Sequence, residues 1–260
     1  MLELQDISVV FNPDTIHEKV ALSHIHLQIQ KGDFVTIIGS NGAGKSTLFQ
    51  TICGAITPQQ GRIYLEHQDI TSLKEHKRSR FIGRLFQDPL KGTAPSMTIA
   101  ENLSLASCHG HYFRLTPISL KQRHLMQEAL KELDLGLEER MDTKVGVLSG
   151  GQRQALSLLM ATYGKPQLLL LDEHTAALDP QTAQKVLDLT AKIVKKEKMT
   201  TLMITHNMED ALKYGQKILI MKDGKIIDFI DEKRKQDLTV DKLIHLYSSK
   251  THDYNDRLLL

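Results

Sequence analysis

The chain has 260 residues, 41% hydrophobic and 25% charged, a composition typical of a globular protein with a sizeable core. Its 33 basic and 31 acidic residues give a net charge of +2, which provides no basis for binding nucleic acid or an anionic membrane surface. The N-terminus lacks the features of a signal peptide, no apolar run approaches the roughly 20 residues of a membrane span, and two cysteines exclude a disulfide framework.

The N-terminal part of the chain predicts a β subdomain followed by a loop and a helix. In "SHIHLQIQ", Ile25, Leu27 and Ile29 alternate with polar residues, which is the pattern of a half-buried strand. The residues around Ile63 suggest another strand of the same sheet. Between them, the apolar run "FVTIIG" leads into a glycine-rich loop, and a helix follows that should end near Gly54.

The segment from Ala94 to Lys144 has a helical character. One helix should carry a buried stripe made of Leu125, Ala129, Leu130 and Leu133. The stretch "CHGH", residues 108–111, offers three potential metal ligands, but they are adjacent and no fourth ligand has a matching spacing. We therefore favour a polar loop over a metal site there.

The last part of the chain alternates strands with helices. Leu168–Leu171 is a short apolar run that predicts a buried strand, and Asp179 with Pro180 predicts the start of a helix. A further strand, a hairpin with Asp223-Gly224 at its turn and a last short helix complete the pattern. This alternation predicts an α/β fold with a parallel sheet covered by helices.

A phosphate-binding loop is the strongest local motif. The stretch "GSNGAGKST" fits the pattern G-x-x-x-x-G-K-[ST] between a strand and a helix. Glycines let successive N–H groups point at one phosphate, and the helix N-terminus adds its positive dipole end. Lys45 should neutralise the β and γ phosphates, and the Ser46 hydroxyl should ligate Mg²⁺. The predicted nucleotide-binding residues of this loop are Gly39, Ser40, Asn41, Gly42, Ala43, Gly44, Lys45, Ser46 and Thr47.

Two adjacent carboxylates follow the buried leucine strand. A P-loop protein needs acids at the end of a neighbouring strand, since one orients the Mg²⁺ waters and another accepts a proton from the attacking water. We expect Asp172 to act on Mg²⁺ through water and Glu173 to be the general base.

The sequence resembles the ATP-binding subunits of ABC transporters from about Leu2 to Ile230. The most specific mark is "LSGGQ", residues 148–152, ahead of "LLLLDE". Other landmarks of the family appear in order: Phe11 where an aromatic ring stacks on adenine, Gln87 in "FQDP", "AALD" ending at Asp179, and His206 in "ITHN". The resemblance adds Gln87 and His206 to the catalytic set, Gln87 to the Mg²⁺ ligands, and Ser149, Gly150, Gly151 and Gln152 to the ATP-binding residues.

The resemblance also implies an architecture and partners. It implies a single ABC ATPase domain. Its P-loop core, with an N-terminal antiparallel β subdomain, would comprise about 1–90 and 150–230. A helical subdomain would be inserted at about 92–150, and a C-terminal helix and tail would follow in 231–260. Two such chains, in a homodimer, would share two ATP molecules. They would drive a separate membrane permease from the cytoplasmic face, with an extracytoplasmic substrate-binding protein engaged indirectly.

The chain departs from the family pattern at one point beside the predicted base. Relatives usually have proline after the glutamate, whereas this chain has His174, which we expect to be a solvent-facing loop residue without a catalytic role. The variant resembles bacterial importer ATPases, some of them for aromatic amino acids.

Two alternatives stay open: a soluble ABC ATPase of DNA repair or translation, which usually has a long coiled-coil insertion or two fused halves, and a non-hydrolysing regulatory module, in which Lys45 or Glu173 is expected to be replaced.

Overall fold

The structure, a computed structural model, describes residues 1–107 and 118–251, so the "CHGH" stretch lies outside the described residues. In chain order the strands are β1 (Leu2–Phe11), β2 (Lys19–Ile29), β3 (Phe34–Ile38), β4 (Gln60–Leu65), β5 (Gln68–Asp69), β6 (Ile82–Leu85), β7 (Leu168–Asp172), β8 (Thr200–Ile204), β9 (Lys217–Lys222) and β10 (Lys225–Ile230). The helices are α1 (Lys45–Cys53), α2 (Glu75–Arg78), α3 (Ile99–Ser107), α4 (Leu120–Lys131), α5 (Gly150–Thr162), α6 (Pro180–Glu197), α7 (Met208–Tyr214), α8 (Glu232–Lys235) and α9 (Val240–Thr251).

Two compact units divide the chain. One consists of Met1–Arg78 together with Met199–Leu260, and the other of Ser79–Lys198. We refer to them as the P-loop unit and the signature unit, after the motif that each contains.

The P-loop unit contains an antiparallel sheet in the order β2-β1-β4-β5. The predicted alternation in β2 is confirmed, because Ile25, Leu27 and Ile29 are buried while His26 and Gln28 are exposed. β4, which contains Ile63, belongs to the same sheet as predicted, and it pairs with β1. This sheet is therefore the predicted N-terminal antiparallel β subdomain.

A second sheet of the P-loop unit carries the nucleotide motif. β3 lies between β8 and β9 and is parallel to both, and β10 pairs with β9 in an antiparallel hairpin. Every residue of β3 and β8 is buried, which explains why their sequences show no polar alternation. The hairpin turns at Asp223 and Gly224, both with positive φ, as the Asp-Gly pair predicts.

The signature unit combines a parallel strand pair with helices. β6 and β7 are parallel, and the four leucines of β7 are fully buried, as predicted. α6 begins after Asp179, whose carboxylate accepts a hydrogen bond from the backbone N–H of Thr182 at 3.0 Å, so the predicted cap is confirmed. Hydrogen bonds from the side chain and from the backbone N–H of Thr182 lower the pKa of Asp179.

The buried stripe of α4 differs from the prediction. Leu125 is 53% exposed, whereas Met126 and Leu130 are buried, and Leu133 is buried beyond the last residue of the helix. Met126 and Leu130 are four positions apart and lie on one face, and Leu125 is turned about 100° away from Met126. The prediction was therefore wrong for Leu125, because Met126 takes its place in the buried stripe.

In the described ranges, none of the helices combines the length and the apolar character that a bilayer crossing requires.

Candidate functional site

The phosphate loop runs from the buried end of β3 to the first residue of α1. Gly42 and Gly44 have φ values of 86° and 97°, in the left-handed region that glycine adopts without strain. The loop is closed by a hydrogen bond from the Ala43 N–H to the Ser40 carbonyl oxygen at 3.1 Å. Ser46 is exposed in the first turn of α1, at the positive end of the helix dipole. This backbone shape is suited to binding phosphate.

Lys45 is held inside this loop. Its side chain is buried, and Nζ donates hydrogen bonds to the carbonyl oxygens of Gly39 at 2.7 Å and Ser40 at 3.1 Å. The ammonium group is thus fixed within the curl of the backbone, where a bound anion would face it. The first turn of α1 contains no acidic residue.

Two glycines of the loop are required by the close approach of other backbone segments. A Cβ atom at Gly39 would lie 2.5 Å from the carbonyl oxygen of Met221, and one at Gly44 would lie 2.7 Å from that of Ala21. Distances below 3.0 Å are not tolerated between these atoms, so the motif glycines let β9 and β2 pack directly against the loop.

The switch histidine lies at the same edge of the sheet as the phosphate loop. Ile37 of β3 is in register with Ile204 of β8, and the Thr205 N–H donates to the Ile37 carbonyl oxygen at 3.2 Å. His206 follows immediately and is half-buried, just before α7. Parallel strands end at a common edge, so the register brings His206 alongside the start of the loop at Gly39.

Phe11 stands at the end of β1 and is 38% exposed. An exposed aromatic ring at a strand end can stack on a planar base. The role that the resemblance implies for Phe11, stacking on adenine, stays a prediction.

The signature motif forms the start of α5. The Ser149 hydroxyl accepts a hydrogen bond from the Gln152 N–H at 3.3 Å, and the Gln152 side chain accepts one from the Ser149 N–H at 3.2 Å. This capping box fixes the helix start, with Ser149 and Gly150 exposed. The predicted second phosphate cradle therefore has an ordered helix N-terminus and an exposed hydroxyl.

The ends of β6 and β7 bring three other predicted residues to one edge of the signature unit. Leu85 is in register with Leu171, so Gln87 and Glu173 each lie two residues beyond paired positions. Asp172 forms an ion pair with Arg84 of the neighbouring strand, at 3.6 Å between Nη2 and Oδ2. Gln87 is exposed. The register supports the prediction that Gln87, Asp172 and Glu173 act at a common place.

His174 is buried, and the expectation that it faces solvent was wrong. Glu173 has a φ of 46°, which turns the chain back, and His174 is only 2% exposed. Its Nε2 lies 3.3 Å from the hydroxyl oxygen of Thr190 in α6. Burial lowers the pKa of His174 to about 4, so the imidazole is neutral at pH 7.

Sequence reasoning missed Arg78, which supports the P-loop helix from its other end. This fully buried guanidinium donates to the carbonyl oxygens of Thr51 and Ile52 in α1 and to those of Thr71 and Leu73, which lie between β5 and α2. Arg78 belongs to the charged run "KEHKRSR", and no pattern separates it from its exposed neighbours.

Each unit, taken by itself, contains groups of the kind that bind a nucleotide or Mg²⁺. The loop has backbone shape, glycines and a buried ammonium group for phosphate, and Ser46 supplies a hydroxyl oxygen of the kind that Mg²⁺ takes. Asp172 supplies a carboxylate of the kind that holds Mg²⁺ through water.

Comparisons with known proteins agree with this chemistry. The model of the family described as "ABC transporter" matches residues 22–176. A tyrosine transport ATP-binding protein of Clostridioides difficile (strain R20291) is 43% identical over 95% of this chain and 98% of its own length. An energy-coupling factor transporter ATP-binding protein of Caldanaerobacter subterraneus subsp. tengcongensis is 33% identical over 86% of this chain and 77% of its own length.

A solved structure gives the same result for the fold. It is a dimeric, post-hydrolysis ATP-binding cassette bound to ADP and phosphate, with a TM-score of 0.77 and 28% identity over 89% of this chain and 99% of that one. The predicted P-loop fold, with its N-terminal antiparallel sheet, parallel strands and helices, is confirmed.

Proposed function

The chain belongs to the ABC transporter family as an ATP-hydrolysing subunit, and we propose a role for each residue of its site. The P-loop from Gly39 to Thr47 binds the phosphates of ATP, with Lys45 as the cation and Phe11 against the adenine. Glu173 is the general base that takes a proton from the attacking water. Gln87 and His206 contact the γ-phosphate region. Ser149, Gly150, Gly151 and Gln152 bind the ATP of a partner subunit.

The observation that carries this proposal is the state of Lys45. Lys45 is buried, and its Nζ donates hydrogen bonds to the carbonyl oxygens of Gly39 and Ser40, within the loop that Gly42 and Gly44 curl through their positive φ. These hydrogen bonds hold the ammonium group inside the curl of the loop, where it would face a bound phosphate. When bound, Mg²⁺ would neutralise charge on the phosphate oxygens, and Ser46, Gln87 and Asp172 are the residues proposed to hold it.

The proposal is tested by Mg²⁺-dependent phosphate release with the purified protein. Glu173→Gln keeps the shape of the side chain but cannot accept a proton, so turnover should fall by about 10²–10⁴-fold while ATP still binds. Lys45→Met should lose ATP binding itself. Lys31→Met, at an exposed lysine of the same unit, is the matched control and should behave as wild type. Wild-type turnover in Glu173→Gln would remove this residue from the role of base.

We also propose that ATP brings two copies of the chain together. The exposed Ser149 hydroxyl and the N-terminus of α5 supply an anion site on the signature unit, separate in sequence from the P-loop. The neighbour solved with ADP and phosphate is itself dimeric, which supports a shared arrangement.

A membrane permease is the proposed second partner, docked on the segment after Gln87. This segment presents Leu90, which is 45% exposed, and contains Ala94 and Met97, which are half-buried. The Asp88 carboxylate accepts a hydrogen bond from the Leu90 N–H at 2.9 Å and so shapes this turn. Apolar side chains on an ordered turn can accept a short helix from a partner. This docking would place the protein peripherally on the inner face of the cell membrane.

A pull-down from membranes of the source organism tests the docking surface. Tagged wild type should recover a multi-span permease, and the Leu90→Asp, Met97→Asp double variant should not. Leu120→Asp, at an 88% exposed leucine of the same unit, is the control for a new surface charge and should recover the permease. If the wild type recovered only soluble partners, the alternative of a soluble repair or translation ATPase would be favoured. The comparisons offer no support for that alternative.

For the transported solute we propose tyrosine or a related aromatic amino acid, taken up with the help of an extracytoplasmic binding protein. The support is the relative named for tyrosine transport, which matches this chain over nearly its whole length. Uptake of labelled tyrosine by a deletion strain should be restored by the wild-type gene and not by Glu173→Gln. Equal uptake in the deletion strain and the parent would exclude this substrate.

A further inference from the structure

The buried His174 lies immediately after Glu173, in the turn that joins β7 to α6. The turn is held by two backbone hydrogen bonds, from the Ala176 N–H to the Glu173 carbonyl oxygen at 3.0 Å and from the Leu178 N–H to the Thr175 carbonyl oxygen at 3.1 Å. Both bonds lie within the turn itself. They define its shape, but they do not attach it to the rest of the signature unit.

The His174 side chain provides one such attachment. Its Nε2 lies 3.3 Å from the hydroxyl oxygen of Thr190, which is in the third turn of α6 and is only 1% exposed. The hydrogen bond therefore joins the first residues after β7 to the middle of an 18-residue helix. A contact of this kind restricts how far the turn can move relative to α6.

The direction of this hydrogen bond follows from the second contact of Thr190. The Thr190 hydroxyl donates its only proton to the Val186 carbonyl oxygen at 2.7 Å, so toward His174 its oxygen accepts. His174 must then carry its proton on Nε2.

Glu173 needs such support because of its backbone conformation. With φ at 46°, it is in the left-handed region, which residues with a Cβ adopt only where the surrounding structure holds them there. A proline at position 174 would disfavour this conformation at residue 173, because proline restricts the preceding residue to extended conformations. Histidine at 174 is compatible with the observed geometry and also provides a side-chain anchor.

We propose that His174 is a positioning residue for ATP hydrolysis, which holds the turn carrying Glu173 in place through its hydrogen bond to Thr190. The inference rests on the proposed role of Glu173 as the general base. His174 does not touch the reacting atoms in this scheme. It determines where the Glu173 carboxylate stands, and a displacement of about 1 Å at a catalytic group can cost up to 10²-fold in rate.

The test removes the hydrogen bond from each side while keeping the shape of the residues. Thr190→Val replaces the hydroxyl with a methyl group, and Thr190→Ser retains it. His174→Leu removes the donor, and His174→Gln places an amide N–H near the position of Nε2. We expect kcat to fall about tenfold in Thr190→Val and His174→Leu, with KM for ATP within twofold of wild type, and to stay within about twofold in the Ser and Gln variants.

The double variant His174→Leu, Thr190→Val shows whether the two residues act through one bond. It should lose no more activity than either single variant, because the second change removes a partner that is already lost. Thermal unfolding of each variant is measured alongside its activity. If His174→Leu does not fold, Thr190→Val, Thr190→Ser and His174→Gln still test the proposal.

Other outcomes would overturn the inference. Wild-type kcat in Thr190→Val, with or without a lower melting temperature, would make the hydrogen bond purely structural. Additive losses in the double variant would show that the residues act independently. Glu173→Gln is measured in the same assay to distinguish failure of the positioning role from failure of the proposed function. Full turnover in Glu173→Gln would overturn the role of Glu173 as the base. An inactive Glu173→Gln together with a fully active Thr190→Val would overturn only the positioning role of His174.

Discussion

The guanidinium group of Arg78 donates a hydrogen bond of 2.7 Å to the carbonyl oxygen of Ile52, at the last turn of the P-loop helix. The last carbonyl groups of a helix have no partners within it, and here a buried cation takes over two of them. A positive charge at this end is also favoured by the helix dipole. Desolvation lowers the pKa of Arg78, which nevertheless stays charged at neutral pH.

Replacement of Arg78 should therefore destabilise the P-loop unit. Arg78→Met fills a similar volume but leaves four buried or half-buried carbonyl oxygens without their donor. We expect the free energy of unfolding to fall by about 3 kcal/mol in urea titrations. Lys77→Met, at the exposed preceding position in α2, is the control and should unfold near the wild-type midpoint. Equal midpoints for both variants would show that the carbonyl groups find other partners.

The sequence predicted the features of the site that depend on local geometry. The P-loop was predicted because positive φ at Gly42 and Gly44 and the helix that begins at Lys45 follow directly from a continuous motif. The cap at Asp179 and the turn at Asp223 are equally local. In each case the residues that determine the structure are neighbours in the chain.

The features that the sequence did not predict depend on contacts between distant segments. His174 was placed in solvent because its burial depends on the left-handed conformation of Glu173 and on Thr190, 16 residues away. Arg78 was overlooked because its partners begin 27 residues earlier, at Thr51. Periodicity also misassigned Leu125, since a short helix with few buried positions allows more than one stripe.

A second stability prediction concerns Asp228 and the C-terminal helix. The Asp228 carboxylate accepts hydrogen bonds from Arg234 at 3.0 Å and from Lys250 of α9 at 2.6 Å. The Arg234 hydrogen bond is the main reason that the pKa of Asp228 is lowered to about 2. Because the pKa of Asp228 is lower in the folded state, its ionised carboxylate stabilises the fold above about pH 4. This contribution is lost as the pH falls toward 2.

Asp228→Asn should therefore lower the free energy of unfolding by about 1–2 kcal/mol at pH 7, a range reduced because Arg234 and Lys250 are partly exposed. The difference from wild type should shrink between pH 4 and pH 2. Asp237→Asn, at an exposed aspartate of the same unit, is the control for loss of a charge. A difference that stayed constant down to pH 2 would point to packing rather than to the ion pairs.

Assembly is predicted to depend on ATP. Glu173→Gln with ATP and Mg²⁺ should elute as a dimer in size-exclusion chromatography with light scattering, and the same protein without nucleotide as a monomer. Adding Ser149→Arg should abolish the dimer and preserve ATP binding to the monomer, because the exposed cap of α5 then carries a bulky side chain in place of a small hydroxyl. Ser249→Arg, at an exposed serine in α9, should leave the dimer intact. A mass that never changes with ATP would contradict the shared site.

The last prediction concerns the contact between the signature helix and α6. A Cβ atom at Gly151 would lie 2.3 Å from Cγ2 of Thr182, in the first turn of α6. The Thr182 backbone is held there by its N–H hydrogen bond to Asp179, so the Thr182 methyl group and an added Cβ atom at 151 cannot both keep these positions. Gly151→Ala should therefore displace the start of α5, lower the melting temperature by several degrees and weaken the ATP-dependent dimer. Thr182→Ser removes only the obstructing methyl group and should be close to wild type alone. Combined with Gly151→Ala, it should restore most of the lost stability and dimerisation, a coupling that two independent sites would not show. If the double variant is as unstable as Gly151→Ala, the glycine is required for a reason other than contact with Thr182.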